Sequence, residues 1–219
     1  MATPVSAGLF EYACSLYVLQ MKVARHSQAQ LSFPGLDPTP TDRLFFAVCP
    51  DAQAAADTTQ IVKGLCEQFG LKSQPLGRDR LHVSLCCLGD FAGLPDGLVA
   101  QARRAAEEVV EESVPVTFDR AGTFAHGRKR KSALVLLNDL PLIPLLEFQH
   151  ALGRAMARNG LGCRVPPYLT PHMTLLYDTR HVEMRPVGPV EWTAREFVLV
   201  HSLLGQGKHI PLGRWPLAA

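Results

Sequence analysis

Leu81-His82-Val83-Ser84-Leu85-Cys86-Cys87-Leu88 alternates apolar and polar residues and then runs on in apolar ones. Pro171-His172-Met173-Thr174-Leu175-Leu176-Tyr177 repeats the pattern in the second half of the chain. Each stretch reads His, any residue, Ser or Thr, then Leu. Positions i and i+2 of a β-strand project from the same face. The spacing therefore predicts two strands, Leu81 to Leu88 and His172 to Tyr177, each presenting an imidazole and a hydroxyl side by side.

Working outward from these strands gives the fold class. Arg43-Leu44-Phe45-Phe46-Ala47-Val48 predicts a buried strand closed by Pro50. Asp51 is placed to cap a helix to about Phe69, with Ala54, Ile61, Val62, Leu65 and Phe69 on its apolar face. Gly77 to Arg80 is a basic turn. Pro95 and Asp96 open a helix expected to reach about Glu112, followed by a strand from Val114 to Phe124 and its hairpin partner, Ala133 to Leu137. Pro141 and Pro144 lead into a helix ending near Gly160, and Pro166 to Pro171 forms a rigid approach to the second motif. Val190 to Thr193, Phe197 to Leu204 and Ile210 to Pro216 are expected as strands, the last two joined through Gly205 and Gly207. Helices interspersed with short, hairpin-joined strands make this an α+β protein rather than a doubly wound parallel sheet. The 219 residues fit one large domain or two small, intimately packed lobes. Residues 1–41 read as an N-terminal extension with a Pro-rich linker, and 42–219 as the folded domain.

Composition excludes several classes. A net charge of +2 argues neither for nor against nucleic acid. The local run His126-Gly127-Arg128-Lys129-Arg130-Lys131 is either a solvated hairpin tip or a landing site for a phosphate backbone. The six cysteines (Cys14, Cys49, Cys66, Cys86, Cys87 and Cys163) contain no C-x-x-C pair. Cys49, Cys66, Cys86 and Cys87 are expected as small core residues, which fits a reducing cytoplasm. The first cation is Lys22, so no secretory leader is expected, and no apolar run is long enough to span a bilayer. The chain has no Gly-rich phosphate loop or G-x-G-x-x-G, so neither a nucleotide-dependent kinase nor a nicotinamide dehydrogenase is supported.

The two motifs support acid–base work on a phosphate. Histidine titrates near neutrality, so one imidazole takes a proton while the other gives one. Ser84 and Thr174 are placed to hydrogen-bond the non-bridging phosphate oxygens. Core histidines and a zinc site are the competing readings. His82 and His172 have no third ligand at H-x-x-x-H or C-x-x-C spacing, so no metal is expected. Cys86 and Cys87 lie in an apolar run that disfavours a thiolate nucleophile.

On these residues the chain resembles the two-histidine (2H) phosphoesterases, and more closely their bacterial RNA 2′,3′-cyclic phosphodiesterase branch, often labelled 2′-5′ RNA ligase. The resemblance runs from about Asp42 to Leu217. It rests on His82-Val83-Ser84-Leu85 and His172-Met173-Thr174-Leu175, with support from Arg43 to Ala47, Phe118 to Phe124, Phe197 to Ser202 and Trp215-Pro216-Leu217. It implies a bilobal, pseudo-symmetric α+β fold with antiparallel sheets, flanking helices and a central cleft. It also implies metal-independent and cofactor-free opening of 2′,3′-cyclic phosphate ends of RNA or nucleotides to a 2′-phosphate, with weak reverse 2′-5′ ligation in some members. The first His is implied to protonate the leaving oxygen, the second to activate water, and Ser84 and Thr174 to orient the phosphate. A cyclic phosphate of ADP-ribose, 2′,5′-oligoadenylate, or RNA-end binding without turnover are the alternatives. The expected state is a cytoplasmic monomer.

The family often has an Arg two residues after the second motif's Leu, where this chain has Tyr177. It often has a Tyr in the last hairpin, where this chain has His209 and Ile210. Arg43, Arg80, Arg128 and Lys131 are the candidate phosphate cations, Phe45 and Phe124 the candidate stacking surfaces for a base, and Tyr177 a further substrate-binding candidate.

Overall fold

The structure, a computed structural model, describes residues 38–124, 131–162 and 170–219. Most of the N-terminal extension, the basic run from His126 to Arg130 and the approach from Pro166 to Leu169 lie outside the described residues. The elements are β1 (Asp42–Val48), α1 (Ala52–Phe69), β2 (Val83–Phe91), α2 (Asp96–Glu107), β3 (Val114–Phe124), β4 (Ser132–Leu137), α3 (Ile143–Arg158), β5 (Met173–Asp178), β6 (Arg185–Ala194), β7 (Glu196–Leu203) and β8 (Lys208–Pro216), with a 3-10 turn at Arg78–Arg80 before β2. The described strands form one sheet in the order β6-β3-β4-β5-β2-β1-β7-β8. Every strand pairing in it is antiparallel, which places the fold in the α+β class.

The apolar run of β1 is explained by its central position. Leu44, Phe46 and Val48 join the main core with residues of all three helices, including Ala54 and Val62 of α1, Ala102 of α2 and Phe148 of α3. Phe45 and Ala47 point the other way and join Val198 and Val200 of β7 in a second apolar cluster. A strand buried on both faces has no polar side to alternate with. On the far half of the sheet, Ala133, Val135 and Leu137 of β4 form a matching small cluster with Phe124 packed on it.

Helix α1 begins where the sequence predicts. The Asp51 carboxylate accepts the Ala54 N–H at 2.9 Å, and Gly70, at φ 59°, ends the helix in the left-handed conformation. Helix α2 stops at Glu107, short of the expected Glu112. The β-branched Val109 and Val110 follow. The backbone then turns to meet the C-terminal segment, Ala218 N–H donating to Glu111 at 2.8 Å and Ser113 N–H to Ala218 at 2.8 Å. Strand β6 is longer than expected and contains Pro186, Gly188 and Pro189. It is an edge strand, where a missing N–H faces no partner, so prolines that read as loop are tolerated. Cys86 is buried and Cys66 and Cys87 are partly so, but Cys49 is exposed, contrary to expectation. It follows the last residue of β1, and Pro50 turns the chain out of the sheet there.

Candidate active site

Two β-α-β units have the same plan. β1-α1-β2 and β4-α3-β5 each end in a motif strand hydrogen-bonded antiparallel to the unit's first strand. The two motif strands meet at a single residue pair, Val83 opposite Met173. Extending that register by one residue either way sets His82 opposite Thr174 and Ser84 opposite His172. Val83 and Met173 are buried on the helix side, so the other four side chains share the opposite face. Each hydroxyl thus sits across from the other motif's imidazole.

Each motif strand then carries a β-bulge at its Leu. Phe46 pairs with Cys86 but Ala47 with Ser84, leaving Leu85 as the extra residue. Leu134 pairs with Leu176 but Val135 with Thr174, leaving Leu175. A bulge shifts the alternation by one, which explains why two buried residues follow the hydroxyl in both strands. It also returns the third residue after each hydroxyl, Cys87 and Tyr177, to the site face. The bulged carbonyls are satisfied from outside the ladder. Leu175 O accepts the Leu76 N–H at 2.8 Å, and Leu85 O accepts the side-chain amide of the buried Gln149 of α3.

The two imidazoles are held alike. His82 Nδ1 lies 2.7 Å from the Arg80 carbonyl, and His172 Nδ1 lies 2.9 Å from the Thr170 carbonyl. A carbonyl only accepts, so Nδ1 carries the proton and Nε2 is the basic nitrogen of each neutral ring. Each ring also leans on a phenylalanine, Phe45 on His82 and Phe124 on His172, both with centroids 4.9 Å apart.

The symmetry fails at His209 of β8. Its ring stands edge-on to His82 at 5.2 Å and to Phe45 at 5.6 Å. Burial pushes His82 down from its ordinary 6.5 to about 4, and the neighbouring His209, His172 and Arg80 push the same way, against the hydrogen bond to the Arg80 carbonyl. Burial likewise lowers His209, with Arg80 adding to it. His82 therefore rests neutral at pH 7.

The remaining candidates scatter around this centre. Arg43 is engaged by Asp90 through two hydrogen bonds of 2.6 and 2.8 Å on the β1–β2 pair. Tyr177 is exposed and lines a cleft together with Arg80 and Lys131. Arg128 lies outside the described residues. Among the described residues, no three His, Cys, Asp or Glu side chains converge as metal ligands. Sequence reasoning did not single out His209 or Gln149 as site residues. The pairing of Ser202 with both Arg43 and His209 brings His209 to the site, and it depends on the long-range order of β1, β7 and β8.

The chain's relatives share this architecture. No curated protein matches it, but residues 50–205 match the 2′-5′ RNA ligase superfamily model. Among solved structures, E. coli LigT complexed with 3′-AMP aligns at 25% identity with TM-score 0.64, covering 82% of this chain and 99% of that one. The same protein complexed with NADP+ aligns at 26% identity and TM-score 0.62, covering 83% and 100%. A structure described as a phosphoesterase aligns at 25% and 0.61, covering 82% and 100%. With the α+β fold and a family model spanning most of the chain, the protein belongs to the 2′-5′ RNA ligase superfamily, the two-histidine phosphoesterases, whose enzymes carry out phosphodiesterase- or ligase-type chemistry.

Proposed function

We propose that the protein hydrolyses 2′,3′-cyclic phosphate ends of RNA or nucleotides to a 2′-phosphate, without a metal, using His82 and His172 on opposite sides of the phosphorus. The observation that carries this reading is the crossed square of His82, Thr174, His172 and Ser84 on one sheet face, with both Nδ1 atoms tied to backbone carbonyls. His82, neutral at rest, takes a proton from the attacking water through Nε2. Water oxygen bonds to phosphorus, the bond from phosphorus to the 3′ oxygen breaks, and His172 delivers a proton to that leaving oxygen. This reverses the order implied by the family resemblance, because a ring held neutral at pH 7 accepts rather than donates. Ser84 and Thr174 donate to the non-bridging oxygens and hold the reacting bonds in line. That relatives were solved with 3′-AMP and NADP+ is consistent with a nucleotide-sized site.

The test is turnover of an RNA ending in a 2′,3′-cyclic phosphate in the presence of EDTA. Wild type opens the ring, and His82→Ala and His172→Ala each slow it by about 10²–10⁴-fold, the scale of one acid–base group. Full activity in either variant removes the two-histidine mechanism, and loss of wild-type activity in EDTA restores a metal.

A further inference from the structure

We infer that the cleft between residues 72–80 and the C-terminal half of β5 is a second anion subsite, which takes a phosphate on the 5′ side of the nucleoside being processed. The reading rests on the proposed reaction for the direction: a cyclic phosphate closes the 3′ end, so any further phosphate lies on the 5′ side.

The cleft encloses about 620 Å³ and is lined by Lys72, Ser73, Arg80, Lys131, Tyr177 and Arg180, among others. Its cations come from four separate segments: the loop after α1, the 3-10 turn, the entry to β4 and the exit of β5. Asp178 is the carboxylate in the cleft, and its charge is already used. It is buried, and it accepts the backbone N–H of Lys72 at 3.0 Å, of Ser73 at 2.9 Å and of Arg180 at 2.9 Å. The Arg180 N–H bond foremost, with those from Ser73 and Lys72, holds this carboxyl well below the usual carboxylate range. Asp178 therefore builds the wall.

The cations are committed to different degrees. Arg180 donates to the Phe69 carbonyl at 2.8 Å, and Lys131 donates to the Ser73 hydroxyl at 3.3 Å. Arg80 Nε is buried with no hydrogen-bond partner among the described residues. Arg80 also joins the two sites, since its carbonyl holds His82 and the residue lines the cleft. Tyr177 lies three residues beyond Thr174, about 10 Å along the strand, and the bulge at Leu175 puts both on one face. That distance suits a nucleoside carrying its own 5′ phosphate.

Binding measured by calorimetry at low salt tests the subsite without turnover. Adenosine 3′,5′-bisphosphate is expected to bind at least about ten-fold tighter than adenosine 3′-monophosphate, the minimum for one charge-assisted contact. Lys72→Ala/Lys131→Ala should erase the difference, and Lys72→Arg/Lys131→Arg should keep it. Equal affinities in wild type, or an advantage that survives the alanine pair, overturn the inference. Turnover then identifies the source of the phosphate. A gain over adenosine 2′,3′-cyclic phosphate confined to its 5′-phosphorylated form assigns the subsite to a terminal phosphate; a gain shared by the dinucleotide assigns it to an RNA backbone diester. If no cyclic phosphate is opened yet the bisphosphate advantage holds and depends on the two lysines, the reaction fails and the subsite stands.

Discussion

Replacing His82 by Gln should remove a pH-dependent part of the folding free energy that the structure locates and sizes. In the unfolded chain the imidazole titrates near 6.5, and in the folded protein near 4. Between these values the unfolded state binds more protons than the native state, so stability falls as the pH is lowered. The contribution is fully present above about pH 6.5 and is lost as the pH falls towards 4. A gap of about 2.5 pH units at about 1.4 kcal/mol each gives a ceiling of roughly 3–4 kcal/mol, which residual exposure of the ring reduces. His209, Asp42 and Asp178 are shifted in the same direction and also weaken the protein in acid, so the wild-type curve alone does not isolate His82. The difference between wild type and His82→Gln does. Urea unfolding followed by tryptophan fluorescence at pH 4.0 to 8.0 should show that difference rising through pH 4 to 6.5 by up to about 1.4 kcal/mol per unit and flat above pH 7. A difference independent of pH, or an NMR titration placing His82 near its ordinary value, refutes the burial argument and with it the assignment of His82 as the resting base.

Ser84→Ala and Thr174→Val should each lower kcat/KM for a cyclic phosphate substrate by about 10–100-fold, the worth of one hydrogen bond to a charged oxygen, with little change in thermal stability because neither hydroxyl is in the core. Gln149→Ala should cost about 2–5 kcal/mol in urea unfolding, because it strands the buried carbonyl of Leu85 and leaves a cavity in the core face of α3. A neutral result there would mean that the bulge finds another donor.

Much of the centre was legible in the sequence because it is local. Two residues apart on a strand means one face, so His82 with Ser84 and His172 with Thr174 needed no tertiary information. The cap at Asp51 was equally local. What the sequence hid was long-range. The bulges at Leu85 and Leu175 arise from pairing with β1 and β4, so the apolar run around Cys87 read as core although the bulge turns that residue to the motif face. His209 reaches the site only because β8 follows β7 and β1 in the sheet. The first half of β6, residues 185–189, was missed because its prolines are admissible only at an edge, and nothing in a single segment says where the edge lies. Asp178, next to the position where the family often carries a phosphate Arg, proved to be the anchor of residues 72–73 through backbone N–H groups that carry no side-chain signature.

The paired bulges also bear on how such a protein diversifies. Residues 86 and 176 carry the packing, while 87 and 177, one step on, look onto the reacting face and contribute little to the core. The exposed Tyr177 side chain can vary in size and charge at small cost in stability. The fold thus keeps a variable position beside the two repeated motifs of this chain, and selection or an engineer looking for a new substrate would start with Tyr177.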